Sequence, residues 1–116
     1  MEVTKDEPTL LIQFLGNNPT LRIIDFFLDN RTDYSKKEII EALGMSKTTF
    51  YKVWRQIEKF KVVMPTRRYG KAQLFKLDED NTVVKKLMIL DFTLIKQSSP
   101  RPMEQKIGVA RKIVEA

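Results

Sequence analysis

Apolar positions in this chain recur at helical spacing in five places and at strand spacing in one. After Asn17-Asn18-Pro19, Leu21, Ile24 and Leu28 fall on one face with Ile23 and Phe27 beside them. Asn at the cap and Pro in the first turn start a helix without losing a hydrogen bond, so a helix is predicted over Pro19 to Asp29, showing Arg22, Asp25 and Asp29 to solvent. Ser35-Lys36-Lys37-Glu38 has the spacing of a capping box. The helix behind it buries Ile39, Ile40 and Leu43, and Gly44 supplies the left-handed residue that stops it. Ser46 caps the next helix, Lys47 to about Phe60, in which Phe50, Val53, Ile57 and Phe60 form the buried face. Trp54 neighbours that face and reads as core. Lys47, Thr48, Tyr51, Lys52 and Arg55 are left outside.

The period then changes. VVMPT is rich in β-branched residues, and AQLFKL alternates, with Gln73, Phe75 and Leu77 on one side and Ala72, Leu74 and Lys76 on the other. Two strands joined at Tyr69-Gly70 are expected, with Pro65 at an edge or a strand exit and Arg67, Arg68 and Lys71 at the tip. From Asp80 to about Lys96 the pattern is helical again, with Asp78, Glu79 and Asp80 ahead of it as candidate caps. This helix carries more apolar residues than one stripe needs. The excess suits a second copy of the chain packed on Val84, Leu87, Met88, Asp91 and Ile95; the alternative is burial within one subunit, against Pro8 to Gly16.

The chain thus divides into an N-terminal leader over 1–18, which is a short helix or an extended segment, a helix-turn-helix with a hairpin over 19–79, and a C-terminal helix over 80–97. A linker and tail follow over 98–116. Gln97-Ser98-Ser99-Pro100-Arg101-Pro102 reads as the linker, and Met103, Ile107, Ala110 and Val114 lie on one face of a final helix or an arm. The fold class is mainly α with a small β-hairpin, an α+β arrangement in 116 residues.

Charge sharpens this picture. Between Tyr34 and Leu77 there are 11 Lys and Arg against 3 Asp and Glu, while the remainder carries 10 against 12. The net charge of +6 is therefore concentrated in one segment, as an electrostatic footprint for phosphate requires. Cysteine and histidine are both absent, which excludes a disulfide, a Cys/His zinc site and Ser-His or Cys-His nucleophile systems. Four scattered glycines cannot write a P-loop or a dinucleotide fingerprint. A non-enzymatic, cytoplasmic protein without cofactor or membrane span is expected.

The exposed face Lys47, Thr48, Tyr51, Lys52 and Arg55 offers donors for phosphate or guanine and a methyl and hydroxyl for a thymine edge. Lys36 and Lys37 sit at a helix N-terminus, where the dipole disfavours cations, so phosphate is an expected partner. Arg67, Arg68 and Lys71 around Tyr69 would repel one another unless an anion lies between them.

The run from Ser35 to Leu77 resembles the winged helix-turn-helix of small prokaryotic or archaeal transcriptional regulators of the MarR and ArsR type. The resemblance covers about 19–96 and rests on the serine-started second helix, Ile57-Glu58-Lys59, Val62-Val63 and the basic hairpin. It implies a homodimeric regulator that reads double-stranded DNA. Ser46, Lys47, Thr48, Tyr51, Lys52 and Arg55 would lie in the major groove, with Arg67, Arg68, Tyr69 and Lys71 on the backbone or minor groove. Non-specific DNA coating, a part in a replication or partition complex, and a winged helix used for protein contacts are the alternatives. Lys61 departs from the pattern, since such families place a glycine there. Without Cys or His, any effector is not a thiolate-bound metal.

Overall fold

A computed structural model describes residues 8–98; the leader residues 1–7, the rest of the expected linker and the tail from 103 onward lie outside the described residues. Among the described residues eight elements follow in order: α1 (Leu10–Leu15), α2 (Pro19–Asp29), β1 (Tyr34–Ser35), α3 (Lys36–Leu43), α4 (Lys47–Lys59), β2 (Val63–Tyr69), β3 (Ala72–Leu77) and α5 (Thr82–Ser98). The leader contains a helix, α1. Thr9 caps it by accepting from the Ile12 amide at 3.3 Å. Gln97 and Ser98, expected in a linker, are the last residues of α5.

The helix starts follow from their caps. Asn18 accepts from Leu21 at 2.9 Å, Ser46 from Thr49 at 3.2 Å, and Ser35 and Glu38 form both bonds of the capping box, at 3.1 and 2.8 Å. The two ends of the helix-turn-helix are alike. After α3, Gly44 is left-handed (φ 61°), donating to the Glu41 carbonyl at 3.3 Å while Met45 donates to Ile40 at 3.2 Å. After α4, Lys61 is left-handed (φ 57°), donating to Glu58 at 3.0 Å while Val62 donates to Ile57 at 3.2 Å. Both are Schellman endings. Lys61 thus adopts the conformation a glycine would take, against the steric preference of an L side chain.

The sheet has the order β1-β3-β2 and is antiparallel throughout, with Tyr34 opposite Phe75 and Val63 opposite Leu77. β1 is only two residues long and left no alternating pattern to read. Pro65 lies on the edge strand β2, and the register slips between Pro65 and Arg68, where the missing N–H is tolerated. Phe75 and Leu77 on one side of β3 are buried, and Leu74 on the other side is buried as well.

Phe27, Ile23, Ile39, Phe50, Trp54, Ile57, Leu11 and Val84 make the fully buried centre. One correction concerns α4. Trp54 is inside as expected, stacked on Phe50 at 5.1 Å and edge-on to Phe75 at 5.2 Å, whereas Phe60 is 60% exposed, because it is the cap residue at which the helix gives way to left-handed Lys61. α5 is capped by Asn81, not by the acidic run: its carbonyl accepts from Val83 at 2.7 Å and Val84 at 3.2 Å. Asp78 instead accepts from the Asp80 amide at 3.1 Å, and Glu79 pairs with Arg31 at 3.6 Å.

On α2, Arg22 and Asp25 are half-buried rather than exposed. Arg22 donates to the Leu43 carbonyl at the end of α3, and Asp25 accepts from the Thr9 hydroxyl at 2.9 Å. Burial pushes the Asp25 carboxyl up to about 6, Thr9 offsetting this in part and Asp29 and Asp91 adding to it. Asp29 and Asp91 are raised too, both chiefly by burial. A carboxyl whose folded pKa exceeds its unfolded value contributes most stability below the unfolded value, and that contribution is lost as pH rises through the folded one. The Tm should therefore fall as pH rises from about 4 to about 6.5, and Asp25→Asn, which keeps an acceptor for Thr9, should remove the largest part of that fall. Differential scanning calorimetry across this range checks it; an unchanged profile in Asp25→Asn means the carboxyl ionises at its ordinary value.

Candidate nucleic-acid interface

The reading face is made by what α4 buries. With Phe50, Trp54 and Ile57 directed inward, positions 47, 48, 51, 52 and 55 point outward, and Lys47, Thr48, Tyr51, Lys52 and Arg55 are all exposed. Ser46 is exposed at the mouth of the same helix, its Oγ engaged by the Thr49 amide. Among the described residues the ion pairs are Arg31–Glu79 and Arg67–Asp33. None involves α4, so its three outward cations have no internal counter-charge among the described residues.

The wing differs from expectation in one respect. Arg67 is not a free tip cation: its Nε lies 3.0 Å from Asp33 Oδ2, and a terminal nitrogen donates to Oδ1 at 3.3 Å. The Thr66 hydroxyl donates to the same carboxylate. These donors, Thr66 first and then Arg67, hold the Asp33 carboxyl below the usual range, and Asp33 in turn raises Arg67. The anion that relieves repulsion in the wing is thus partly internal. It lies 34 residues upstream, just before β1, and sequence spacing offered no signal for it. The pairing of β1 with β3 is what brings Asp33 to the base of the wing. Arg68 donates weakly to Gln73 and to the Lys71 carbonyl, at 3.4 and 3.3 Å. Tyr69 is 79% exposed, and Gly70 turns the chain at φ 65°.

Lys37 is exposed as expected, but Lys36 is half-buried. Its ammonium lies 5.6 Å from the ring centres of Tyr51 and Phe75 and 5.8 Å from that of Trp54. No helix among the described residues is long and apolar enough to cross a membrane.

The face of α5 assigned to a second copy is also corrected. Val84 is fully buried, Met88 packs on the same core, Leu87 lines a small apolar pocket with Phe60 and Val62, and Asp91 is half-buried. That face turns to the core of its own subunit: α1 packs on α5, and the pocket at Leu87 is walled by Thr20 and Ile24 of α2 and by Ile57 of α4 and its cap residue Phe60. Of the five, Ile95 alone is exposed, at 48%. The other large apolar residues exposed on these two helices are Val83, Ile89 and Phe92 of α5 and Phe14 and Leu15 of α1.

No protein-family description and no curated protein matches the chain. Among solved structures, it is similar to MepR, a transcription regulator of a multidrug efflux pump of Staphylococcus aureus, at 17% identity and a TM-score of 0.52, covering 90% of this chain and 82% of that one. A MepR mutant bound to an oligodeoxyribonucleotide gives 15% identity and a TM-score of 0.55, over 91% and 81% of the two chains. BpsR of Bordetella bronchiseptica, whose DNA binding is regulated by 6-hydroxynicotinic acid, gives 16% and 0.50, over 92% and 84%. The chain has the winged-helix fold of MarR-type transcription regulators.

Proposed function

We propose that the chain is a homodimeric, sequence-specific reader of double-stranded DNA that acts in transcription regulation. The observation that carries this reading is the outward face of α4: Lys47, Thr48, Tyr51, Lys52 and Arg55 in one strip, without counter-charge among the described residues, on the helix that this fold presents to a major groove. Arg68, Tyr69 and Lys71 supply the wing contact, and Lys37 reaches the backbone. Arg67 braces the wing through Asp33 and contributes less net charge than its neighbour. The second copy packs on Ile89, Phe92 and Ile95 of α5 with Phe14 and Leu15 of α1, an exposed apolar set that a solitary subunit of this size has little reason to keep. Similarity to regulators described as bound to DNA supports the same direction.

Selection of bound duplexes from a random pool tests the reading. Enrichment of an inverted repeat with half-sites about one helical turn apart is expected, and Arg55→Ala should lower discrimination at one position by about 1–3 kcal/mol. Recovery of random sequence supports coating instead, and absence of binding at low salt supports a protein-contact role.

A further inference from the structure

The aromatic surround of Lys36 has a specific consequence for the reading face. Lys36 is the first residue of α3, where the helix dipole disfavours a cation. Its neighbours there follow from the fold: β1 pairs Tyr34 with Phe75, so the residue just after β1 emerges beside the Phe75 ring, and α4 crosses the same place with Tyr51 and Trp54 one turn apart. The ammonium lies within 5.8 Å of all three ring centres, and its methylene stem is half-buried along the way. Among the described residues no carboxylate pairs with it.

Of the three rings, Trp54 and Phe75 are buried and already fixed by one another. Tyr51 is 46% exposed and belongs to the outward strip of α4. It is held from beneath by the buried Phe50 ring, edge-on at 5.3 Å and 89°, and from the α3 side by Lys36. An exposed helical tyrosine without such contacts samples two χ1 wells, and choosing one in advance reduces the ordering cost on binding.

We infer that Lys36 is a positioning residue for base reading, whose ammonium fixes the Tyr51 ring on the outward face of α4 rather than neutralising a phosphate. The inference rests on the DNA-reading role proposed above. It separates Lys36 from Lys37, its exposed neighbour, which remains available to the backbone.

The experiment measures binding of the full chain to its selected duplex, and to single base-pair variants of that duplex, over a salt series. The proteins are wild type, Lys36→Met, Lys36→Arg, Tyr51→Ala and the Lys36→Met/Tyr51→Ala double variant. Lys36→Met should keep the slope of log affinity against log salt. It should lose roughly threefold to fivefold discrimination, the range a partly exposed cation–π contact supports, at the base pair that Tyr51→Ala also blurs. Lys36→Arg, which keeps a cation able to stack on a ring, should restore discrimination, and the double variant should lose no more than Tyr51→Ala alone. A slope reduced by about 0.9 with uniform weakening across all duplexes makes Lys36 a phosphate contact and overturns the inference. Unchanged binding in Lys36→Met, or additive losses in the double variant, overturns it as well. Failure of wild type to bind any duplex overturns the DNA-reading role itself, and this inference with it, an outcome distinct from intact wild-type binding with an altered Lys36→Met slope.

Discussion

Raising the salt from 50 to 200 mM should weaken binding of a paired operator by on the order of 10⁵, because each displaced phosphate counterion contributes about 0.9 to the slope of log affinity against log salt. The cations open to phosphate in one subunit are Lys37, Lys47, Lys52, Arg68 and Lys71, with Arg55 assigned to a base. Five such contacts give a slope of roughly −4.5 for one half-site and roughly −9 for two. Arg67 is left out because Asp33 already neutralises it, and Lys36 because its charge faces aromatic rings. The two arginines of the wing therefore separate: Arg68→Ala should make the slope shallower by about 0.9 for each half-site, and Arg67→Ala should change it by less. Fluorescence anisotropy across a salt series measures both. A slope shallower than about −2 for the paired site would mean that the basic segment does not lie along phosphates.

The largest stability effect is expected at Trp54. Trp54→Ala should destabilise the fold by about 3–5 kcal/mol, the usual cost of removing a fully packed aromatic side chain. Here the loss would open a cavity between Phe50 and Phe75 and detach the inner side of α4 from the sheet. Trp54→Phe should cost much less than its volume suggests. The indole Nε1 is buried without a hydrogen-bond partner among the described residues, and removing an unsatisfied buried donor returns about 1–3 kcal/mol against the packing lost. Urea unfolding of the two variants tests this asymmetry; equal destabilisation would mean that the indole N–H is satisfied in solution. Because Trp54 lies directly behind Tyr51 and Arg55, Trp54→Ala should also weaken duplex binding at temperatures where the variant remains folded.

The paired helix endings explain why one boundary was legible in the sequence and its counterpart was not. Gly44 announces a left-handed stop because glycine is the residue that adopts it without strain. Lys61 makes the same turn and the same two hydrogen bonds, yet lysine carries no such signal, so Phe60 was placed on the buried face instead of at the exposed cap of the helix. At α5, acidic residues near a helix start are a statistical cue, and the geometry awarded the cap to Asn81, one residue later. The outward face of α4 was legible because period alone decides which side of an amphipathic helix is buried. What covers a helix from outside its own sequence is not local information. The face of α5 that looked free turns to the core of its own subunit, and the carboxylate at the wing base arrives through a two-residue strand. Both depend on tertiary pairing between segments that carry weak patterns.

Asn81 does more than start α5. Its side-chain amide donates to the carbonyls of Phe60 and Lys61, at 3.1 and 2.9 Å, while its carbonyl receives Val83 and Val84. The tail of α4 and the head of α5 are consequently joined through a single planar group. In mechanical terms α4 becomes a rigid pointer clamped at its base to the helix proposed to pair two subunits. With 13 residues it is about 20 Å long, so a tilt of about 5° at the clamp displaces its far end by roughly 2 Å. A displacement of that size is a large fraction of a base-pair step. The crossing angle of the two α5 helices is then a fine adjustment of operator spacing, made at the end of the pointer farthest from the bases.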